Sequence, residues 1–131
     1  MMYLLDANVI VTLLRRTDAA LARRIRNHQS SEFAISAIVS HELSYGAFNS
    51  ARPSHNIAII DALQFQVLDF DREDARHAGE IRALLASRGT PIGPFDVLIA
   101  GQARARKTVL VTHNTREFAR IPGLRIEDWQ R

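Results

Sequence analysis

Short runs of consecutive apolar residues alternate along this chain with longer stretches in which apolar residues recur at helical spacing. That alternation predicts strands separated by helices. Met2-Tyr3-Leu4-Leu5 reads as the first strand, and Phe33 to Ser36, Val67-Leu68-Asp69 and Thr108-Val109-Leu110-Val111 read as three more. Between them lie helices from Val9 to Arg15, from Ala19 to Asn27 with Leu21, Ile25 and His28 in step, and from Ala37 to Phe48 behind a Ser36 cap. Pro53-Ser54 begin a further helix in which Ile57, Ile60 and Leu63 recur on one side. Asp71 caps a long helix through Ala78, Ile81, Leu84 and Leu85 that Gly89 ends, and Asp96 opens another through Val97-Leu98-Ile99-Ala100. A turn through Asn114 leads into the tail Ile126-Glu127-Asp128-Trp129. The pattern specifies an α/β fold, a three-layer sandwich whose central parallel sheet of four to five short strands carries helices on both faces.

The 131 residues, 47% of them hydrophobic, fit one domain spanning 1–131 with one core. With no cysteine, disulfides, thiol nucleophiles and zinc-cysteine or iron-sulfur sites are excluded, so any metal must be held by oxygen or imidazole. The five histidines, His28, His41, His55, His77 and His113, show no metal-ligand spacing, although His113 lies near enough to the acidic edge to touch a substrate. The apolar runs fall far below the roughly 18 residues that span a bilayer, so a cytoplasmic protein with no membrane partner is expected. The net charge is only +3, but Lys107 is the sole lysine and every other fixed positive side chain is arginine. Arginine grips phosphate bidentately, which suits a nucleic-acid partner, while a GC-rich codon bias yields the same composition. Arg15, Arg88, Arg104 and Arg106 are the candidates for backbone contacts.

Four acidic residues stand where the elements aim them at one place. Asp6 closes the first strand, Glu42 lies within an otherwise apolar helix, Asp96 follows a glycine-proline loop, and Glu117 follows the strand at 108–111. In parallel strands the carboxyl ends share one edge, where open α/β sheets bind ligands. Each residue also has an ordinary explanation. Asp6 or Asn8 caps the first helix, Asp96 complements a helix dipole, Glu117 is solvated, and Glu42 pairs with an arginine. Glu42 is the least easily dismissed, because it shares one side of its helix with Ile38 and Tyr45, and a carboxylate left unpaired there costs several kcal/mol. Three carboxylates a few Å apart repel by roughly 3 to 4 kcal/mol per pair at an effective dielectric near 20, and a divalent cation removes that conflict. All-oxygen ligation favours Mg2+, with Mn2+ a close substitute.

Four segments carry a family resemblance: Asp6-Ala7-Asn8, Ser36 through Leu43, Gly89 through Ala100, and Val111 through Phe118. Together, and in this order over essentially the whole chain, they resemble the PIN-domain ribonucleases and, more narrowly, the VapC toxins of VapBC toxin-antitoxin pairs. The glycine-proline loop and the tail are most similar to the subgroup that cuts initiator tRNA in its anticodon stem-loop. The resemblance implies a PIN-like fold and a metal site at Asp6, Glu42 and Asp96, with Asn8, Thr112 and Asn114 as accompanying polar positions at the substrate. It further implies RNA hydrolysis, a VapB-type antitoxin that blocks the acidic edge, and a homodimer. The chain departs from the pattern at Ala7, where many relatives carry a hydroxyl, and at Glu117, where many carry aspartate. Glu117 is therefore expected to assist catalysis from outside the metal's own ligands. Two other classes compete. A phosphoacceptor receiver domain needs a lysine after the strand that Lys107 precedes, and a catalytically silent PIN-like binding module would bind a partner without cleaving it.

Overall fold

The computed structural model describes residues 1–130. In chain order the elements are β1 (Tyr3–Leu5), α1 (Ala7–Arg15), α2 (Ala19–Arg26), β2 (Phe33–Ser36), α3 (Ala37–Phe48) and α4 (Pro53–Asp61). They continue through β3 (Gln66–Leu68), α5 (Arg72–Ser87), α6 (Pro94–Ala105), β4 (Val109–Val111), α7 (Thr115–Phe118) and β5 (Arg125–Glu127). All neighbouring strands pair in parallel, in the order β3-β2-β1-β4-β5, with Leu4 of the central strand opposite both Ala34 and Leu110. Leu4, Leu5, Ala34, Ile35 and Val109 to Val111 are all buried, as expected of strands covered on both faces.

The chain steps outward from β1 to β2 to β3, then crosses back over the sheet to β4. Right-handed crossovers running in opposite directions place their helices on opposite faces, so α5 and α6 cover the face away from the earlier helices. The direction of travel reverses between β1 and β4. Gly101 sets how closely the second layer packs: a Cβ there would meet the Ala78 backbone nitrogen at 2.5 Å, so α5 and α6 touch main chain to main chain. This contact fixes α6, and with it Asp96. Near the last turn of α6, the buried Asp74 accepts bonds from Gln102 (2.9 Å), the Asp71 amide (through its other role as a reciprocal cap, 3.0 Å) and Arg106 (3.0 and 3.2 Å). Burial opposes its charge, but these donors together outweigh burial and hold the Asp74 carboxyl below its ordinary range.

Several boundaries differ from the sequence reading. The first helix begins at Ala7, because the residue that caps it is Asp6 and not Asn8. The third strand is Gln66–Leu68, shifted by one residue, and α6 starts at Pro94, with Asp96 in its first turn as the helix-dipole explanation expects. The tail, given no element from sequence, forms β5 as the fifth strand of the sheet, and the turn after Asn114 continues into the short α7. Trp129 is buried beyond β5, stacked on His28 with centroids 5.2 Å apart and edge-on to Tyr3 and Phe33, so His28 belongs to a packed aromatic cluster. The buried face of α3 is Val39, Leu43 and Ala47. Tyr45, expected beside Glu42, is exposed because it lies just outside that arc. Among the described residues no helix is long and apolar enough to cross a membrane.

Candidate active site

Asp6 is the first residue past β1, and its amide donates to the Val111 carbonyl of β4 at 3.0 Å. It therefore stands at the seam where the strand order reverses, the place open parallel sheets use for ligands. Its two carboxylate oxygens do different things. Oδ1 accepts the Ala7 amide at 2.8 Å and starts α1, while Oδ2 accepts from the Thr112 hydroxyl at 2.9 Å across the seam. The Thr112 oxygen also accepts the Asn114 amide at 3.1 Å, and the Asn114 side-chain amide donates to Glu117 at 3.0 Å. Asp6, Thr112, Asn114 and Glu117 thus form one relay, whose first two members are buried.

Glu42 and Asp96 approach from α3 and α6, and both are half-buried. Glu42 Oε1 is a buried oxygen without a hydrogen-bond partner, so the arginine considered from sequence does not occupy it. Asp96 folds back over the helix start, with Oδ2 only 3.2 Å from where a Cβ on Gly93 would lie. Glycine at this position leaves the carboxylate its room.

The carboxyls feel one another. Burial, then Asp6, then Asp96 push Glu42 up from 4.5 to about 7. Burial, then Asp6, then Glu117 push Asp96 up from 3.8 to about 6. Burial also raises Asp6, although the bonds from Thr112 and Ala7 pull the other way. Asp6 lies close enough to act on both Glu42 and Asp96, Asp96 on Glu42, and Glu117 on Asp96. Among the described residues no three His, Asp or Glu side chains are arranged as a ready-made metal cage. The arrangement is instead an open, all-oxygen acidic pocket with an orphaned buried carboxylate oxygen. That donor set fits a hard divalent cation that keeps water in its remaining positions.

The arginine candidates separate. Arg15 lines a groove of about 580 Å3 between α1, α3 and α4 together with Asn8 and Glu42. Arg88 is exposed at the end of α5. Arg104 and Arg106 sit at the other end of α6 from Asp96, about 12 to 15 Å along the helix axis. They are taken up by Glu80, His77 and the Pro122 carbonyl, and by Asp74 and the Asp69 carbonyl, because that end of α6 packs against the side of α5 that carries Asp74 and Glu80. Neither is placed to meet RNA at the acidic edge. Thr112 had a signal of its own in the sequence: like Asp6, it is a polar residue ending an apolar strand. The tie between Asn114 and Glu117 had none, since it depends on the short α7.

Comparison with known proteins agrees with this geometry. The PIN domain family model matches residues 3–124. The tRNA(fMet)-specific endonuclease VapC of Salmonella typhimurium is 44% identical over 129 residues, covering 97% of each chain. Ribonuclease VapC2 of Haemophilus influenzae is 36% identical over the same shares. In structure, the DNA-bound VapBC of Salmonella typhimurium superposes with a TM-score of 0.92 at 43% identity, covering 98% of each chain. VapBC2 of Rickettsia felis, bound to a promoter DNA fragment, gives 0.91 at 33% identity over 99% of this chain and 100% of that one. PIN-domain nucleases use a divalent metal ion. The fold, the acidic seam between β1 and β4, and these relatives lead to one conclusion: the chain belongs to the VapC endoribonucleases of the PIN-domain family.

Proposed function

We propose that this chain hydrolyses a phosphodiester of tRNA, initiator tRNA in particular, as the toxin of a toxin-antitoxin pair in the cytoplasm, and so stops translation. The observation that carries the site assignment is the orphaned Glu42 oxygen facing the mutually repelling carboxyls of Asp6 and Asp96. Asp6, Glu42 and Asp96 hold the cation, with Mg2+ as the resident ion and Mn2+ able to replace it. When bound, the ion supplies Lewis acidity toward the phosphate and makes water a competent nucleophile near neutral pH. Thr112 keeps Asp6 in one rotamer, and Asn114 does the same for Glu117, which acts on the ion's surroundings and not as a direct ligand. Asn8, exposed on the first turn of α1, contacts the RNA strand together with Thr112 and Asn114.

The partners follow from the same reading. The relatives named VapBC are complexes of toxin and antitoxin, and a VapB-type antitoxin is proposed to cover the acidic edge here. The groove beside Glu42, which mixes Val11, Leu43 and Ile60 with Asn8 and Arg15, suits an amphipathic segment. The toxin is proposed to act as a homodimer.

The test is cleavage of an initiator-tRNA transcript by the wild-type chain and by Asp96→Asn, with Mg2+ or Mn2+ and with chelator. Cleavage is expected only for the wild-type chain with metal, leaving 5′-phosphate and 3′-hydroxyl ends. Products with 2′,3′-cyclic phosphates would mean that the RNA's own hydroxyl attacks, which rejects the water route. Absence of any cleavage with either metal, while RNA still binds, would establish the silent binding module instead.

A further inference from the structure

Hydrolysis by water leaves the ribose 2′-hydroxyl out of the reaction, so the chemistry proposed above does not by itself separate RNA from DNA. Selection for RNA then requires a side chain that meets the sugar. Around the acidic edge many polar atoms are already engaged: Asp6 with Ala7 and Thr112, Thr112 with Asn114, and Asn114 with Glu117.

His113 differs from these. It directly follows Thr112, and its side chain is 55% exposed. Its Nδ1 lies 3.0 and 3.2 Å from the two carboxylate oxygens of Asp128. A carboxylate only accepts, so Nδ1 carries the hydrogen, and the neutral ring is left with its lone pair at Nε2. Asp128 is itself held, because its Oδ1 accepts the Gln130 amide at 3.0 Å and it lies between two anchored neighbours. On one side Glu127 ends β5 and receives the Trp129 indole N–H at 2.9 Å; on the other, Trp129 is buried against His28 and Tyr3. The ring is thus oriented by a packed tail.

His113 follows β4, the strand beside β1, and its ring is turned toward Asp128 beyond β5, so it stands one to two strand spacings, about 5 to 10 Å, from Asp6 along the same sheet edge. A ribose of a nucleotide neighbouring a phosphate at Asp6 spans that separation. Phosphate and ether oxygens of an RNA backbone only accept hydrogen bonds. The one donor the backbone offers to an acceptor is the 2′-hydroxyl. We propose that His113 Nε2 accepts a hydrogen bond from the 2′-hydroxyl of a nucleotide adjoining the cut, with Asp128 as the residue that positions the ring. The inference rests on the nuclease reading above and adds the contact that makes the site choose RNA.

The experiment combines variants with altered substrates. The cut in an initiator-tRNA transcript is mapped with the wild-type chain, and oligoribonucleotides of that sequence are made with a single 2′-deoxy sugar on either side of it. For the wild-type chain one of these sugars raises KM about fivefold to tenfold, the weight of one hydrogen bond, with kcat within about twofold. His113→Ala raises KM by the same factor on the all-ribose substrate and no further on the deoxy one. Asp128→Ala raises KM in the wild-type background and has no effect once His113 is alanine, a coupling that a merely structural role for Asp128 would not produce. Wild-type cleavage that is indifferent to both deoxy sugars, or a His113→Ala loss that multiplies with the deoxy loss, overturns the inference and leaves the nuclease reading standing. Failure of the wild-type chain to cut any RNA overturns that reading and the inference with it.

Discussion

Replacing Glu42 by Gln removes the cost of burying a charge at the seam beside two other carboxylates. Burial and the charges of Asp6 and Asp96 move the Glu42 carboxyl from 4.5 to about 7. If fully transmitted to stability, that displacement penalises the charged form by about 3 kcal/mol, and solvent screening at a half-buried position cuts it to roughly 1 to 2 kcal/mol. The folded chain holds this proton until about pH 7, whereas the unfolded chain releases it near 4.5, so over this window the folded state binds more protons and stability falls as pH rises. Asp96, raised by burial, Asp6 and Glu117 from 3.8 to about 6, steepens the lower part of the same fall. Asp74 has the opposite sign but acts elsewhere. Its contribution is present above its ordinary 3.8 and is lost only as pH drops below it. Urea unfolding in chelator from about pH 5 to about pH 8 should therefore show the wild-type chain losing stability, and Glu42→Gln losing less. At the upper end the variant should be more stable by about 1 to 2 kcal/mol. Added Mg2+ should stabilise the wild-type chain more at high pH than at low pH, by mass action on the charged site, and the variant much less. Wild-type stability that rises across this window in chelator, or a variant no more stable than wild type at its upper end, would refute the repulsion argument.

Thr112→Val removes the donor to Asp6 and the acceptor for the Asn114 amide. It should cost about 1 to 2 kcal/mol in urea unfolding and lower kcat, whereas Thr112→Ser, which keeps both bonds, should stay near wild type in the same assays. Asp74→Ala removes the acceptor shared by Arg106, Gln102 and the Asp71 amide, leaving the first two their bonds to the Asp69 carbonyl, and should cost about 1 to 3 kcal/mol. Because that network lies at the far end of α6, kcat of the Asp74 variant at low temperature should be unchanged; a large loss of kcat there would show that α6 transmits the damage to Asp96. Gly101→Ala forces a methyl group into the Ala78 backbone and should destabilise by about 1 to 3 kcal/mol, read as a lowered Tm. An unaltered Tm would mean that the two helices separate freely.

Strands covered on both faces are written as unbroken apolar runs, and this is why β1, β2 and β4 were legible from the sequence. Helices with a capping side chain were equally plain, since Ser36 and Asp71 each mark a boundary chemically. β5 was not legible because Arg125-Ile126-Glu127 is a polar edge strand, and its register comes from β4 and from the anchoring of Trp129. The tie from Asn114 to Glu117 was hidden for a related reason: α7 is one turn long and has no periodicity to read. In the candidate site the four acidic residues were visible as polar exceptions at element ends or within an apolar helix. What joins them was not, because the Thr112 bond spans 106 residues of sequence and exists only once β1 and β4 are neighbours. The arginines misled for the opposite reason. Composition gives their number, while the acidic face of α5 decides that Arg104 and Arg106 are engaged far from Asp96.

The ordinary explanations for the acidic residues are not rivals of the catalytic one. Asp6 caps α1 with Oδ1, which leaves Oδ2 for Thr112 and the pocket, so the same interaction that starts the helix fixes the carboxylate's direction. Asp96 occupies the first turn of α6, where the helix dipole favours its charge, and Gly93 clears the space its oxygen needs. Asp6 is therefore oriented by bonds that the fold makes in any case, and Asp96 is favoured where it stands by the start of its helix. Glu42 is the exception, since nothing in α3 offers its buried oxygen a partner. In this pocket Asp6 is held by two bonds, while Glu42 carries a buried oxygen left unanswered. It follows that neutralising Glu42 should relieve the cost of burying that one carboxyl, whereas Asp6→Asn, which keeps an acceptor for the helix cap, should relieve the charge felt by both Glu42 and Asp96 but give up the acceptor of the Thr112 hydroxyl.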